Sequence, residues 1–204
     1  LCLMSAFAIS SLWRWQKERP LLNLFGKLAV LLIFAYQIIY LVAFLQIYRV
    51  QNTRVQVSDW INQNIEENAT LATEHWDDEL PLYRNKPFTI LKLNLYDPDT
   101  SGKVNQTLET LNKSDYLIVA SQRLFIPLQK LDQRYPWTSR YYQLLFAGNL
   151  GFEEVASFSN QPHLTIFGIN LNFDDSSADE SFSVYDHPPI FIFQKEKDAL
   201  FKML

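Results

Sequence analysis

LAVLLIFAYQIIYLVAFLQIY, residues 28–48, decides the architecture: 21 residues without a formal charge, closed by Lys27 and Arg49. At about 1.5 Å per residue the run makes a helix roughly 30 Å long, the thickness of a bilayer's hydrocarbon core. The flanking Lys and Arg stems can lie along apolar surface while their charges reach the headgroups. A buried helix of a soluble core is the alternative for so apolar a run. A secretory signal peptide does not fit, because the run is too long and no small-residue cleavage site follows. Residues 28–48 therefore read as a transmembrane helix in contact with membrane lipid. Gln37 and Gln46 are unusual for a lone anchor and are expected to find hydrogen-bond partners on neighbouring helices of a multi-pass bundle.

Working outward, LCLMSAFAISSLW (1–13) reads as the end of a preceding transmembrane helix. Because the chain opens with Leu1 inside an apolar stretch, it is expected to be the tail of a longer protein with further transmembrane helices upstream. Between the two spans lies a basic loop, 14–27, carrying Arg14, Lys17, Arg19 and Lys27. On the other flank Arg49 and Arg54 give way to Asp59, Glu66 and Glu67. Short basic loops stay in the cytoplasm. The expected location is thus the cell membrane, with residues 50–195 forming an extracytoplasmic domain and 196–204 a C-terminal tail.

Charge separates the two parts. Residues 1–49 carry a net +4 and residues 50–204 a net −8, which together give the chain's −4. An acidic body repels the phosphate backbone whose neutralisation drives nucleic-acid binding, so no nucleic-acid partner is expected. The single cysteine, Cys2, excludes an intrachain disulfide and a cysteine zinc site. With only five glycines, the chain offers no phosphate-cradling glycine loop.

In the outer part, Ser58 is placed to cap a helix, DWINQNIEEN, with Asp59 favourable in its first turn. ATLATE (69–74) reads as a buried strand and FTILKLNLYD (88–97) as a half-buried one. KVNQTLETLNK spaces Val104, Leu108 and Leu111 as a helix does, and DYLIVASQ (115–122) reads as a strand covered on both faces. TSRYYQLLFAG predicts a helix stopped by Gly148. FEEVASFS (152–159), LTIFGINL (164–171) and IFIFQK (190–195) complete the strands. The expected fold is α/β: a transmembrane helix followed by an extracytoplasmic α/β domain with a mixed sheet.

The densest polar cluster is Glu74-His75-Trp76-Asp77-Asp78-Glu79, just past a predicted strand, where open α/β sheets collect ligands. Its carboxylates and imidazole can hold a divalent cation, and Trp76 can stack on a sugar ring. The plainer reading has His75 and Trp76 packing the loop while the acids are solvated. Glu74, His75, Trp76, Asp77 and Asp78 are nonetheless candidate ligand-binding residues. Arg140 and Tyr141, near a predicted helix start, join them as groups able to meet a phosphate or sugar. DPDTSG (97–102) resembles the opening of a calcium loop, yet its twelfth position is Leu108 and not Glu. Thr100 or Ser101 is expected to cap the following helix instead. Ser181, Asp186 and His187 make a weak triad, since sequence neighbours rarely supply that geometry. His187 is expected to fix the turn before the last strand. No catalytic residue and no metal ligand is assigned, and no cofactor is identified.

Four stretches carry a resemblance: SDWINQNIEENATLATEHWDDELPL (58–82), SDYLIVASQRL (114–124), RYPWTSRYYQLLFAGNLGFEEVASF (134–158) and ADESFSVYDHPPIFIFQK (178–195). Together they resemble the C-terminal region of a family of multi-pass membrane proteins from Chloroflexi, cyanobacteria and archaea, labelled by a YYY signature. That family is similar to the GT-C membrane glycosyltransferases of protein-mannosyltransferase type. No run of three tyrosines occurs in this chain. The resemblance implies an enzyme that moves a sugar from a polyprenyl-phosphate donor to an acceptor outside the membrane. Its catalytic acid is expected in a first outer loop outside these residues, and the outer domain is expected to aid donor or acceptor binding. The rival expectation is a non-catalytic outer module that recognises a cell-envelope polymer or partner protein. A stabilising cation-binding domain is a third.

Overall fold

The computed structural model describes residues 2–15 and 20–197. Part of the basic loop (16–19) and most of the C-terminal tail (198–204) lie outside the described residues. The chain divides into two compact units, one of residues 1–46 with 162–173, the other of 47–161 with 174–204.

The first unit holds helix α1, Cys2–Trp15, lying against helix α2, Pro20–Leu45. Pro20 opens α2, a position where a missing amide hydrogen costs nothing. At 26 residues α2 is about 39 Å long. Its most apolar 18-residue window has a mean hydropathy of 2.5 and is only 6% buried. By length and composition it is a helix able to cross a membrane. Gln46 Nε2 donates to the Val42 carbonyl one turn back.

The same unit contains a two-stranded ribbon, β5 (His163–Ile166) and β6 (Ile169–Asn172), which form an antiparallel hairpin. The reading of 164–171 as one strand is corrected here. Phe167 (φ 49°) and Gly168 (φ 81°) both take positive φ and reverse the chain. Two positive φ values in a two-residue loop match the right-handed twist of the flanking strands. Asn-Gly would have announced such a turn in the sequence; Phe-Gly does not.

The second unit is a three-layer α/β structure. A single 3₁₀ turn, Gln46–Arg49, precedes helix α3, Thr53–Asn64. Asn52 caps α3, its side chain accepting the Arg54 amide at 2.9 Å. The helix thus starts five residues before the expected Ser58 cap. Ser58 is instead mid-helix, where its hydroxyl donates to the Arg54 carbonyl and accepts the Leu82 amide. Then come β1 (Thr70–Glu74), β2 (Thr89–Leu93), α4 (Ser101–Lys113), β3 (Tyr116–Val119), α5 (Phe125–Lys130), α6 (Pro136–Phe146), β4 (Phe152–Phe158), α7 (Glu180–Ser183) and β7 (Ile190–Lys195). As expected, Thr100 caps α4. Helix α6 ends at Gly148 (φ 68°), where the Gly148 and Asn149 amides close on the Leu145 and Leu144 carbonyls.

The mixed sheet runs β2-β1-β3-β7-β4. Strand β1 is parallel to β2 and β3, and β7 is antiparallel to β3 and β4. Four strands therefore point one way and only β7 opposes them. Alternation sorts the side chains. Leu71, Tyr116, Ile118 and Ile192 face Val57, Ile61 and Ile65 of α3. Ala72, Leu117, Val119 and Phe193 face Leu111 of α4, Leu128 of α5 and Leu145 of α6. Every residue of β3 is buried, which explains its unbroken apolar run. Each fully buried aliphatic side chain here contributes about 1.5–3 kcal/mol. At the edge, β4 exposes Glu153 and Glu154 beside a bulge, two devices that discourage pairing with another chain.

Candidate functional site

Because β1, β2, β3 and β4 run in one direction, their carboxyl ends share one edge of the sheet. The chain reverses course between β1's neighbours β2 and β3, and such a switch point is where open α/β sheets bind ligands. Glu74 closes β1 at this edge. It is buried, and Tyr142 of α6 donates to its Oε1 at 2.7 Å. Burial pushes its carboxyl up to about 8, against the pull of the Tyr142 hydrogen bond and with some help from the Asp77 charge. Glu74 is therefore neutral at pH 7.

The loop after Glu74 divides its polar residues between structure and surface. Asp77 is buried against Arg54 of α3, whose Nη2 reaches Asp77 Oδ1 at 2.8 Å and the Val184 carbonyl at 2.9 Å. Arg54 Nε lies 3.1 Å from the exposed Asp78 carboxylate. These acids are tied to one arginine, and among the described residues no three His, Cys, Asp or Glu side chains gather to hold a metal ion. His75 is exposed and stands edge-on to Trp76 at 5.2 Å.

Trp76 is the unusual member. Its side chain is 55% exposed, and its backbone sits at φ 82°, a conformation bulky residues rarely take. Tyr96 stands edge-on to it at 5.8 Å, and Arg123 Nη1 donates to its carbonyl at 2.9 Å. The Arg123 guanidinium also lies 5.5 Å from the ring centre of Tyr185, itself exposed. An exposed tryptophan, two exposed tyrosines and an arginine thus form a platform at the sheet edge. Arg54 and Arg123 escaped the sequence reading because nothing in their neighbourhood announces a partner 23 or 47 residues away.

Beside this platform, where β3 and β4 end and β7 begins, a cavity of about 360 Å³ opens. Gln122, Asn160, Gln161, Asp175, Ser183, His187 and the ring of Phe191 are among its walls, and among the described residues no lysine or arginine lines it. His187 is buried with its Nε2 2.8 Å from Asp175 Oδ2, which pins the turn before β7. The weak Ser181-Asp186-His187 triad is replaced: Ser181 bonds Asp179 at 2.6 Å, and Asp175 takes the imidazole.

The two α6 candidates separate. Tyr141 is buried, stacked on Trp137 at 6.1 Å, with its hydroxyl unpartnered among the described residues; burial and then the Glu74 charge raise its pKa well above the ordinary value. Arg140 is exposed on the opposite face and makes no ion pair among the described residues. The calcium-like loop has a cation of its own. The buried Lys103 ammonium takes the Leu95 and Asp97 carbonyls, Asp99 Oδ1 and Thr138 Oγ1, all at 2.6–2.8 Å. Asp99 Oδ2 meanwhile accepts the Trp137 and Thr138 amides at the start of α6. Burial opposes ionisation of Asp99, but the bonds from Lys103 and Thr138 outweigh it and hold its pKa below the ordinary value.

Compared with family models, with curated proteins and with solved structures, the chain finds no match in any of the three.

Proposed function

We propose that this chain is part of a multi-pass membrane glycosyltransferase of GT-C-like type, and that its outer domain binds the sugar of a polyprenyl-phosphate donor. In this reading 28–48 crosses the bilayer and 50–195 is extracytoplasmic. The observation that carries the proposal is the polar cavity at the carboxyl edge of the sheet, whose Asp175 carboxylate is held by His187. At about 360 Å³ it falls within the range of small-molecule sites, roughly 300–1,000 Å³. Its carboxamides and hydroxyls match the donors and acceptors of a sugar, and its phenyl wall suits the apolar face of a pyranose. The absence of lysine and arginine from its lining keeps phosphate out of the cavity itself. Arg123, next in the chain to Gln122 and bonded to the Trp76 carbonyl, offers a guanidinium that can pair a phosphate.

Catalysis is not assigned to these residues. Glu74 is enclosed by Tyr142, and Asp77 and Asp175 are committed to Arg54 and His187. That commitment favours the second reading, a non-catalytic module that holds a cell-envelope saccharide.

Titration of the full-length protein in nanodiscs with a polyprenyl-phosphate hexose tests both. Gln122→Ala and Asn160→Ala are each expected to raise Kd by up to about tenfold, as loss of one neutral hydrogen bond does. Arg123→Ala should weaken the lipid-phosphate hexose but leave the free hexose unaffected. Binding of free hexose alone supports the module; binding of neither defeats both readings.

A further inference from the structure

We infer that the exposed rings of Tyr96, Trp76 and Tyr185, joined through Arg123, form a binding platform for a neutral oligosaccharide strand. None of these four residues lines the cavity, so the platform is a second site. The inference goes beyond donor binding and holds whether or not the cavity takes a sugar.

Three observations carry it. First, the topology sets the groups in a row. Tyr96 follows β2, Trp76 follows β1 and Arg123 follows β3, each a few residues past the strand's carboxyl end. These strands are parallel neighbours in the order β2-β1-β3. The contacts keep that order. Tyr96 stands edge-on to Trp76 at 5.8 Å, Arg123 Nη1 donates to the Trp76 carbonyl at 2.9 Å, and the Arg123 guanidinium lies 5.5 Å from the Tyr185 ring centre. A row of rings offers successive places for successive sugar units.

Second, the rings are exposed and yet held. Tyr185 is 73% exposed, and Trp76 and Tyr96 also face solvent. Tyr96 leans on the buried Tyr135, with centroids 5.9 Å apart, while Arg123 steadies both Trp76 and Tyr185. Rings fixed in advance lose little freedom when a ligand arrives. Trp76 also keeps φ at 82°, which its largely solvent-facing ring does not repay through packing. Backbone strain of this kind gathers at ligand sites.

Third, the polar groups select the ligand. A pyranose has apolar C–H faces that lie on aromatic rings and hydroxyls around its rim. Asp78, two residues after Trp76, and Asp97, next to Tyr96, are exposed acceptors for such hydroxyls. With Arg123 they put charge among the rings, whereas protein–protein interfaces deplete charge from their cores. The net −8 of residues 50–204 repels a phosphate- or carboxylate-bearing polymer. An uncharged glycan meets every one of these conditions.

The test is calorimetric titration of the full-length protein in nanodiscs with cello- and chito-oligosaccharides of one to six units. In one of the two series affinity is expected to rise from one unit to three and then level off. Trp76→Gly, which relieves the backbone, and Tyr185→Ala should each weaken the trimer by about two- to tenfold, and Trp76→Phe should retain it. If Trp76→Phe loses as much as Trp76→Gly, no ring stacks on the sugar and the inference falls. If Gln122→Ala weakens the trimer while the ring variants do not, the sugar lies in the cavity; the platform falls and the donor reading stands. If neither series gains affinity with length, the inference falls and the rings are left to a protein partner, while the polyprenyl-phosphate hexose titration judges the donor reading separately.

Discussion

The hydroxyl of Tyr142 donates to Glu74 Oε1 at 2.7 Å, with both side chains buried at the carboxyl end of β1. This carboxyl is charged in the unfolded chain above its ordinary 4.5 and stays neutral in the folded protein up to about 8. Folding takes up a proton between those values. The stability it contributes is complete below pH 4.5 and is lost as pH rises to about 8, at up to about 1.4 kcal/mol per pH unit. Glu74→Gln keeps the shape and cannot ionise. Urea unfolding at pH 6 and pH 8 should show wild type weakening relative to Glu74→Gln; parallel pH profiles would place the ionised carboxylate in the core.

Lys103 answers to Asp99 and through it to α6. Lys103→Met leaves the Asp99 carboxylate buried without its cation, at an expected cost of about 3–5 kcal/mol. In the double variant Asp99→Asn/Lys103→Met the loss should be smaller than for Lys103→Met alone, since no charge is stranded. A chemical-denaturation cycle reads the coupling. Additive losses would show that the ammonium sits in the cage without supporting it.

If Trp76 stacks on a sugar, as the proposed function allows, its replacement separates stability from binding. Glycine takes φ near 82° without the left-handed penalty of about 1–2 kcal/mol, less its own entropic cost of about 0.5–1. Trp76→Gly is therefore expected to raise the melting temperature slightly while saccharide affinity drops. A variant that loses both would make the ring a packing residue of the loop.

The proposed orientation rests on charge. With Cys2→Ser as background, Glu153→Cys on the exposed edge strand should react with a membrane-impermeant maleimide in intact cells. Labelling only after lysis would put the acidic domain in the cytoplasm.

Patterns of local origin were legible along the chain. The apolar run at 28–48, the alternation in 88–97 (of which Thr89–Leu93 is strand), the unbroken YLIV of β3, and the caps at Thr100 and Gly148 each depend on neighbours within a few residues. The Glu74–Asp78 loop was likewise found at a strand end, where the topology confirms that the strands' carboxyl ends converge. The start of α3 was missed because Asn52 caps it from a stretch without apolar periodicity. The hairpin was missed because Phe-Gly lacks the usual turn chemistry.

Sequence alone determined the α/β class, the membrane-length helix and the charge split, since periodicity, length and net charge are sums over adjacent residues. Tertiary structure alone decided that Asp77 answers to Arg54, that Asp175 takes His187, and that Lys103 fills its own oxygen cage. Each of those pairings joins residues whose separation carries no periodic signal. Only burial, which makes an unpaired charge or amide costly, selects which of the many possible partners is used.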